Sequence, residues 1–572
     1  MSLTTALSSG VSALRVTQAG LAVTSRNVAN VDTPGFARGE LIQTPAASGV
    51  GVQVEAVRRA GDRFLLAASL QAQAQAGSAA VRSQTLDRVQ SAFGDPNSQV
   101  SVFSRIDQAF ASLQGLQQAP ADPAARRQAL DAIDRAVGSI ETLNSDLIAV
   151  RNDLDAQIGE AVGRVNTLLQ QLTDANFTVV QARASGVDSV TAENARATLL
   201  DDLADLVDIR VSESESGIVE VRTEAGGLLA GLRPAQLQAG QDANGRATIS
   251  IVGVDGQTSA FGPQLRSGEL SGLLTARNVD LLAVGEGVAD LARGFANTLN
   301  AASNASTAVP APSTLTGGAT GLLGTDPPGT GVLRLARVAP ADNTVQSVLE
   351  IDLAGVTDLD ALVTAINSDP SAAFTASFTA GRLTISGAGG GGVVVGGTAE
   401  RGGQGFSQAF GLNDILVFSN SNGGVASGNP LGLGVRADIR ADVSRLPLAR
   451  PALEVGSVLE RGDARGANAL AAAVDAVLSF SANGLLGAQT GKLSDYASRL
   501  GAEIGRRAGA AESDASFAKQ LRLVADERRS GVEGVSLNEE LVRLTQFQLS
   551  FQAAARVVQA VDDLFDILLN SI

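Results

Sequence analysis

The stretch Ser536 to Ile572, SLNEELVRLTQFQLSFQAAARVVQAVDDLFDILLNSI, decides how the chain is put together. Ser536 and Glu539 stand in capping-box spacing, so a helix is expected to begin here. Leu537, Leu541, Leu544, Phe547, Phe551, Val558, Val561, Phe565, Leu568 and Ile572 then fall on a three- and four-residue period. That period describes an amphipathic helix with an apolar stripe. Chain ends ordinarily fray, so a stripe running to the last residue calls for a partner.

The other end supplies one. Leu3, Leu7, Leu14, Leu21 and Val28 recur within the first thirty residues, thickened by Val11, against a face of Ser, Thr and Gln. A seam this narrow suits packing against another helix. Gly10 and Gly20 each weaken the helix by about 1 kcal/mol relative to Ala. It is expected to stop inside SRNVANVDTPGF, Ser25 to Phe36, which contains Asn27 and the helix-ending Asn30. There Thr33, Pro34, Gly35 and Phe36 place proline and glycine at the central positions of a type II turn. The terminal helices are expected to pair with each other and with neighbouring subunits; a closed intramolecular pair is the simpler alternative.

Composition narrows the function. A chain of 572 residues implies two to four domains. Its apolar content is mostly Ala, Val and Leu, with no Trp and one tyrosine, Tyr496, which suits helix bundles better than aromatic-lined pockets. Without His or Cys there is no Ser-His-Asp or Cys-His relay, no thiolate or imidazole zinc site and no disulfide. No metal or cofactor is expected, and no enzyme. Asp201-Asp202 and Glu539-Glu540 read as solvated helix-start charges. A net charge of -16, with lysine only at 492 and 519, argues against nucleic acid and anionic membranes. The most apolar run, ANALAAAVDAVLSF, is interrupted by Asp475 and too short to span a bilayer. The start, MSLTTALSSGVSALRVTQ, lacks the basic and apolar regions of a cleaved signal peptide.

Between the ends, helical periodicity runs from Gly61 to about Thr178, with breaks at Gly94-Asp95-Pro96 and Pro120 to Pro123. Returning helices are expected near 467–480 and 497–524, giving a long helical bundle. Val207 to Thr223 reads as strands, and Asn244-Gly245 as a hairpin turn. Residues 306–460 turn Gly- and Pro-rich; SVLEIDLAG, DLDALVTAINS and AFTASFTAGRLTISGA read as strand, short helix and hairpin. The expected fold class is therefore multidomain α+β. Its parts are a coiled-coil-like terminal domain (1–60 with 530–572), a helical bundle (61–305 with 461–529, strands near 207–260) and a β-rich outer domain (306–460). Gly387, Gly389 and Gly392 mimic a dinucleotide fingerprint, but VVVGG follows where a helix must start. Arg461-Gly462-Asp463 is read as coincidence.

NVANVDTPGFAR and LTQFQLSFQAAARVVQAVDDLFDILLN together resemble the paired terminal signatures of bacterial flagellar axial proteins. PADPAARRQAL (120–130), FGLNDILVF (410–418) and GDARGANAL (462–470) are similar to the hook-associated branch at the hook-filament junction. Phe36 and Phe551 stand where that family usually has tyrosine. The resemblance implies a non-enzymatic structural subunit, exported unfolded by the flagellar type III apparatus without a cleaved signal and located outside the cell. The implied partners are itself in a ring, the hook protein, a second junction protein or the flagellin side, and an export chaperone. Another axial protein such as the hook subunit, or a secreted surface or adhesive protein, is the alternative.

Overall fold

A computed structural model describes residues 2–33, 35–46, 49–95, 98–186, 188–253, 255–419, 431–450 and 452–570. Pro34 and Ile572 lie outside them. The architecture is multidomain α+β, with helices α1 (Leu3–Ala29), α2 (Arg63–Phe93), α3 (Val102–Leu116), α4 (Pro123–Ala184), α5 (Val190–Leu206), α6 (Glu269–Thr275) and α7 (Leu281–Asn304). There follow α8 (Leu359–Asn367), α9 (Phe406–Phe410), α10 (Ala437–Ala441), α11 (Arg465–Ala472), α12 (Leu493–Glu533) and α13 (Leu537–Asn570). A hairpin, β1 (Gly39–Pro45) and β2 (Val52–Arg59), follows α1.

Local chemistry sets the helix limits. The Ser2 and Ser101 hydroxyls accept from Thr5 N and Ser104 N, each at 3.2 Å, satisfying donors that a helix start leaves free. Pro123 opens the 62-residue α4, where its missing N–H costs nothing. Asp358 caps α8 by accepting from Ala361 N at 2.8 Å. At the head of α13 the Ser536 hydroxyl accepts from Glu539 N at 3.5 Å.

The chain forms two compact units. One gathers Met1–Thr85, Asp153–Asn278 and Gly509–Ile572. It holds α1, the hairpin, α5, α6, α13 and two three-stranded antiparallel sheets. Strands Ile209–Glu213 and Val219–Thr223 pair where the sequence implied strands. Gly245, at φ 71°, donates to Asp242 O at 2.9 Å in the turn joining Gln236–Gln241 to Ala247–Val252. Arg277, on the π-helical turn Ala276–Asp280, reaches this turn, donating to Asp155 at 2.8 Å and to Gly245 O at 2.7 Å.

The other unit gathers Leu86–Asn152 and Val279–Ala508. Phe110 of α3 meets Phe295 of α7 edge-on at 5.9 Å, and α7 runs bare past α12 at two glycines. A Cβ on Gly287 would lie 2.7 Å from Leu500, and one on Gly294 would lie 2.8 Å from Leu493. The strand, short helix and hairpin expected for 347–388 are present as Val345–Asp352, α8 and Phe374–Thr379 with Arg382–Gly387. Alternation makes this possible: Leu333, Leu335, Phe374 and Ile385 point inward onto Leu359, Leu362 and Ile366 of α8. After Gly387 comes one 3-10 turn and another strand, so no helix start follows the glycines.

The helix expected over 467–480 is shorter. It ends at Ala472; Leu478–Phe480 is a strand paired with Gln489–Gly491. The alanine-rich period continues beyond this point, but stacking of Phe480 on Tyr496 at 4.1 Å overrides it. α12 is longer than the 497–524 expected, spanning 41 residues.

Candidate assembly surface at the terminal helices

α1 and α13 pack against each other antiparallel. The contact is close because of two glycines. A Cβ on Gly10 would lie 2.8 Å from Val558 Cγ2, and one on Gly20 would lie 2.5 Å from the Phe547 ring. The residues read as helix-weakening on propensity are the holes that admit the facing knobs.

Leu3, Leu7, Leu14, Leu21 and Val28 of α1 are half-buried, as are Leu544, Phe547, Phe551, Val558 and Phe565 of α13; Val561 is buried. Leu537, Leu541 and Leu568, assigned to the same stripe, remain exposed. A second apolar stripe also lies open on α13: Val542, Leu549, Val557, Leu564 and Ile567 are each at least 45 % exposed. Sequence reading missed it. Its signal was the spacing of seven or eight residues from Val542 through Leu549 and Val557 to Leu564.

The turn after α1 is fixed from several sides. Asn30 ends the helix, its amide donating to Arg26 O at 2.9 Å, while Thr33 Oγ1 donates to Asn30 Oδ1 at 3.3 Å. Gly35 has φ 74°, as the third residue of a type II turn requires, and Phe36 N donates to Thr33 O at 3.2 Å. Beyond the turn, two asparagines grip consecutive parts of the backbone. Asn27, fully buried, donates to Gly39 O at 3.0 Å and accepts from Gly39 N at 2.9 Å. Asn194 of α5 does the same to Ala37, at 3.0 and 3.1 Å. A side-chain amide offers the donor and acceptor of a peptide group, so each satisfies buried backbone groups that the β1–β2 pairing leaves free.

Between them, Arg38 joins this segment to the end of α12. Its N–H donates to Glu533 O at 2.9 Å, and its guanidinium donates to Val532 O at 2.6 Å and Gly534 O at 3.2 Å. The buried Glu533 carboxylate takes Arg59 at 3.1 Å and Arg529 at 3.2 Å, and Arg529 also reaches Asp201 at 2.7 Å. Asp201 is thus not a solvated helix-start charge: it lies late in α5, and burial raises its carboxyl despite Arg529. Glu540 is likewise 1 % exposed and paired with Arg543 at 3.1 Å; Glu539 is exposed.

The motif at 410–418 is a clasp. Asn300 Oδ1 accepts from Ile415 N and Leu416 N, both at 2.9 Å, and Asn304 Nδ2 donates to Asp414 Oδ1 at 2.6 Å. Burial pushes the Asp414 carboxyl up to about 6, against Asn304 and Arg436. Asp463, of the adhesion-like tripeptide, accepts from Arg450 N at 2.8 Å and Arg465 N at 2.9 Å. Among the described residues no cluster of three or more acidic side chains could hold a metal, and no helix is long and apolar enough to cross a membrane.

The paired terminal helices around this joint are similar to the terminal regions of flagellar axial proteins. Family models agree: "Flagella basal body rod protein" matches residues 7–36, "Flagellar basal body rod FlgEFG protein C-terminal" matches 532–571, and "Flagellar hook-associated protein FlgK helical domain" matches 86–310. Flagellar hook-associated protein 1 of Salmonella typhimurium is 25 % identical over 98 % of both chains. That of Escherichia coli is 22 % identical over 99 % of both. The chain is thus similar to these hook-associated proteins along nearly its whole length. Its fold is similar to the flagellar hook junction protein FlgK from Burkholderia pseudomallei (TM-score 0.50, 16 % identity, 81 % of this chain and 99 % of that one).

Proposed function

We propose that this chain is a structural subunit at the junction of hook and filament in the bacterial flagellum, built into the tube by its terminal helices. The observation that carries this is α13, which buries one stripe against α1 and leaves a second open to solvent along its length. An apolar face of that extent on a terminal helix marks an interaction surface. The assembly residues are Leu3, Leu7, Leu14, Leu21, Val28, Leu537, Leu541, Leu544, Phe547, Phe551, Val558, Val561, Phe565, Leu568 and Ile572, now joined by the second stripe. The turn from Asn27 to Phe36 aims the chain from α1 into the joint.

On this reading 1–60 with 530–572 forms the tube wall, 61–305 with 461–529 the helical bundle, and 306–460 the outer face. The partners are further copies in a ring, the hook protein on one side, and a second junction protein or flagellin on the other. Export proceeds unfolded through the flagellar apparatus with a chaperone. Catalysis has no part in it. Deleting the gene should give hooks without filaments and flagellin shed into the medium; normal filaments in the deletion strain would refute the reading.

A further inference from the structure

We propose that asparagines on the helices seal the edges of the small sheets, so that these sheets cannot take up a strand from a second copy of the chain. The device goes beyond the assembly reading and does not depend on it.

The grips of Asn27 on Gly39 and of Asn194 on Ala37 are two cases of a repeated pattern. Asn367 of α8 donates to Ala376 O at 2.9 Å and accepts from Ala376 N at 2.8 Å. Ala376 lies on Phe374–Thr379, the outer strand of a sheet completed by Arg382–Gly387 and Thr314–Thr316. Asn166 of α4 holds Leu237 in the same way, at 2.9 and 2.7 Å, on the outer strand Gln236–Gln241. Asn300 of α7 so holds Leu416, at 2.7 and 2.9 Å, in the two-stranded sheet of Leu416–Phe418 and Leu433–Val435.

The register shows that these are edge groups. Gly387 N donates to Ser313 O and Gly317 N donates to Leu383 O, so Leu383, Ile385 and Gly387 turn their peptide groups toward the strand at 314–316. Their register partners Phe378, Ala376 and Phe374 therefore turn theirs outward. Two central strands are sealed just past the end of a short neighbour. Leu228–Ala230 pairs with Val221 and Arg222 and stops, and Asn176 takes both groups of Val219. Thr258–Ala260 pairs with Ser250 to Val252 and stops, and Asn278 takes both groups of Ala247.

A bare edge is a template for another strand. The segment to be kept out is on this chain: Phe374 to Gly387 is rich in Phe, Thr and Ile, carries one charge, Arg382, and has no proline. Asparagine is a poor helix former, but its amide has the donor and acceptor of a peptide and fills one rung without offering a further edge. Asn367 is itself exposed, where water could serve Ala376 equally well, so what its bonds add is closure of the edge.

The test uses the full chain with Asn367→Ala and, separately, Asn166→Ala in the other unit, followed by thioflavin fluorescence and light scattering. Asn367→Ala should keep the wild-type circular dichroism and melt within about 2 °C of it. Both variants should form thioflavin-positive aggregates at least about tenfold faster than wild type. Asn367→Ala/Ala376→Pro should return to within about threefold of the wild-type rate, because proline has no N–H to offer an added strand and is tolerated on edges. Asn152→Ala, on the exposed side of α4, should behave as wild type. Variants that aggregate no faster than wild type overturn the proposal. So does aggregation that the proline leaves unchanged, which traces it to lost stability rather than to an open edge. In the wild type, the Ala376 amide should exchange at least about tenfold more slowly than the outward amide of Phe378. Equal rates there overturn the seal without recourse to any variant. All of these outcomes are separate from the gene-deletion phenotype, which decides the assembly reading.

Discussion

Gly20 lies so close beneath Phe547 that a methyl group there would sit 2.5 Å from the ring. Gly20→Ala gains about 1 kcal/mol of helix propensity but forces the helices apart, and overpacking of this kind costs about 1–3 kcal/mol. The terminal pair should loosen, seen as faster amide exchange in 3–29 and 537–570. Gly159→Ala in α4 is the control. Nothing lies within 4 Å of its added Cβ, so it should stabilise by about 0.5–1 kcal/mol in a thermal melt.

Asn27→Ala removes both partners of Gly39. Leaving a buried backbone donor and acceptor unpaired costs about 1–3 kcal/mol each. The Gly39 amide should lose its exchange protection, while α8 and the strands around it keep theirs. Asn27→Asp can supply both donor and acceptor only when protonated, so its effect should be smallest below the carboxyl pKa and grow above it, where the ionised carboxylate has no proton for Gly39 O.

Glu533→Gln leaves Arg59 and Arg529 without their shared buried charge. Breaking such a pair costs about 3–5 kcal/mol, partly recovered here because Arg529 keeps Asp201 and Arg59 keeps Asn194. A drop in denaturation midpoint, with protease cutting near 533–536, is the expected outcome.

Asp414 sets a pH dependence opposite to that of most paired carboxylates. Its folded pKa is raised to about 6 from an ordinary 3.8, so the folded form holds the proton more tightly. Its contribution to stability therefore falls as pH rises from about 4 to 6 and stays low above that, by on the order of 2–3 kcal/mol. Asp414→Asn keeps an oxygen for Asn304 and has no charge to bury. It should raise the melting temperature at pH 7 and flatten the profile between pH 4 and 6.

Sequence alone revealed what periodicity encodes. Most of the terminal stripe and the strand, helix and hairpin of 347–388 were legible because burial on one face writes a repeat into the chain, and the cap at Ser536 and the turn at Gly35 because their residue types favour those local conformations. Other features depend on contacts far apart in sequence. Asn27 and Asn194 are separated by more than a hundred and fifty residues, yet grip neighbouring peptides. Gly20 looked costly because its gain lies on Phe547, and Asp201 looked solvated because Arg529 comes from another helix. Over 476–480 the alanine period misled, since it cannot register a ring stacked from Tyr496. The second stripe on α13 was overlooked because one good fit to a period conceals another on the opposite side.

The same Tyr496 makes the protein spectroscopically sparse. With no tryptophan, its ultraviolet emission comes from one phenol, held 1 % exposed against Phe480 and near Asp290. The terminal helices contribute only phenylalanine to that signal. Tyrosine fluorescence therefore reports the interior around α7 and α12 while remaining blind to events at the chain ends, so loss of that interior can be followed in an unlabelled sample without interference from subunit joining.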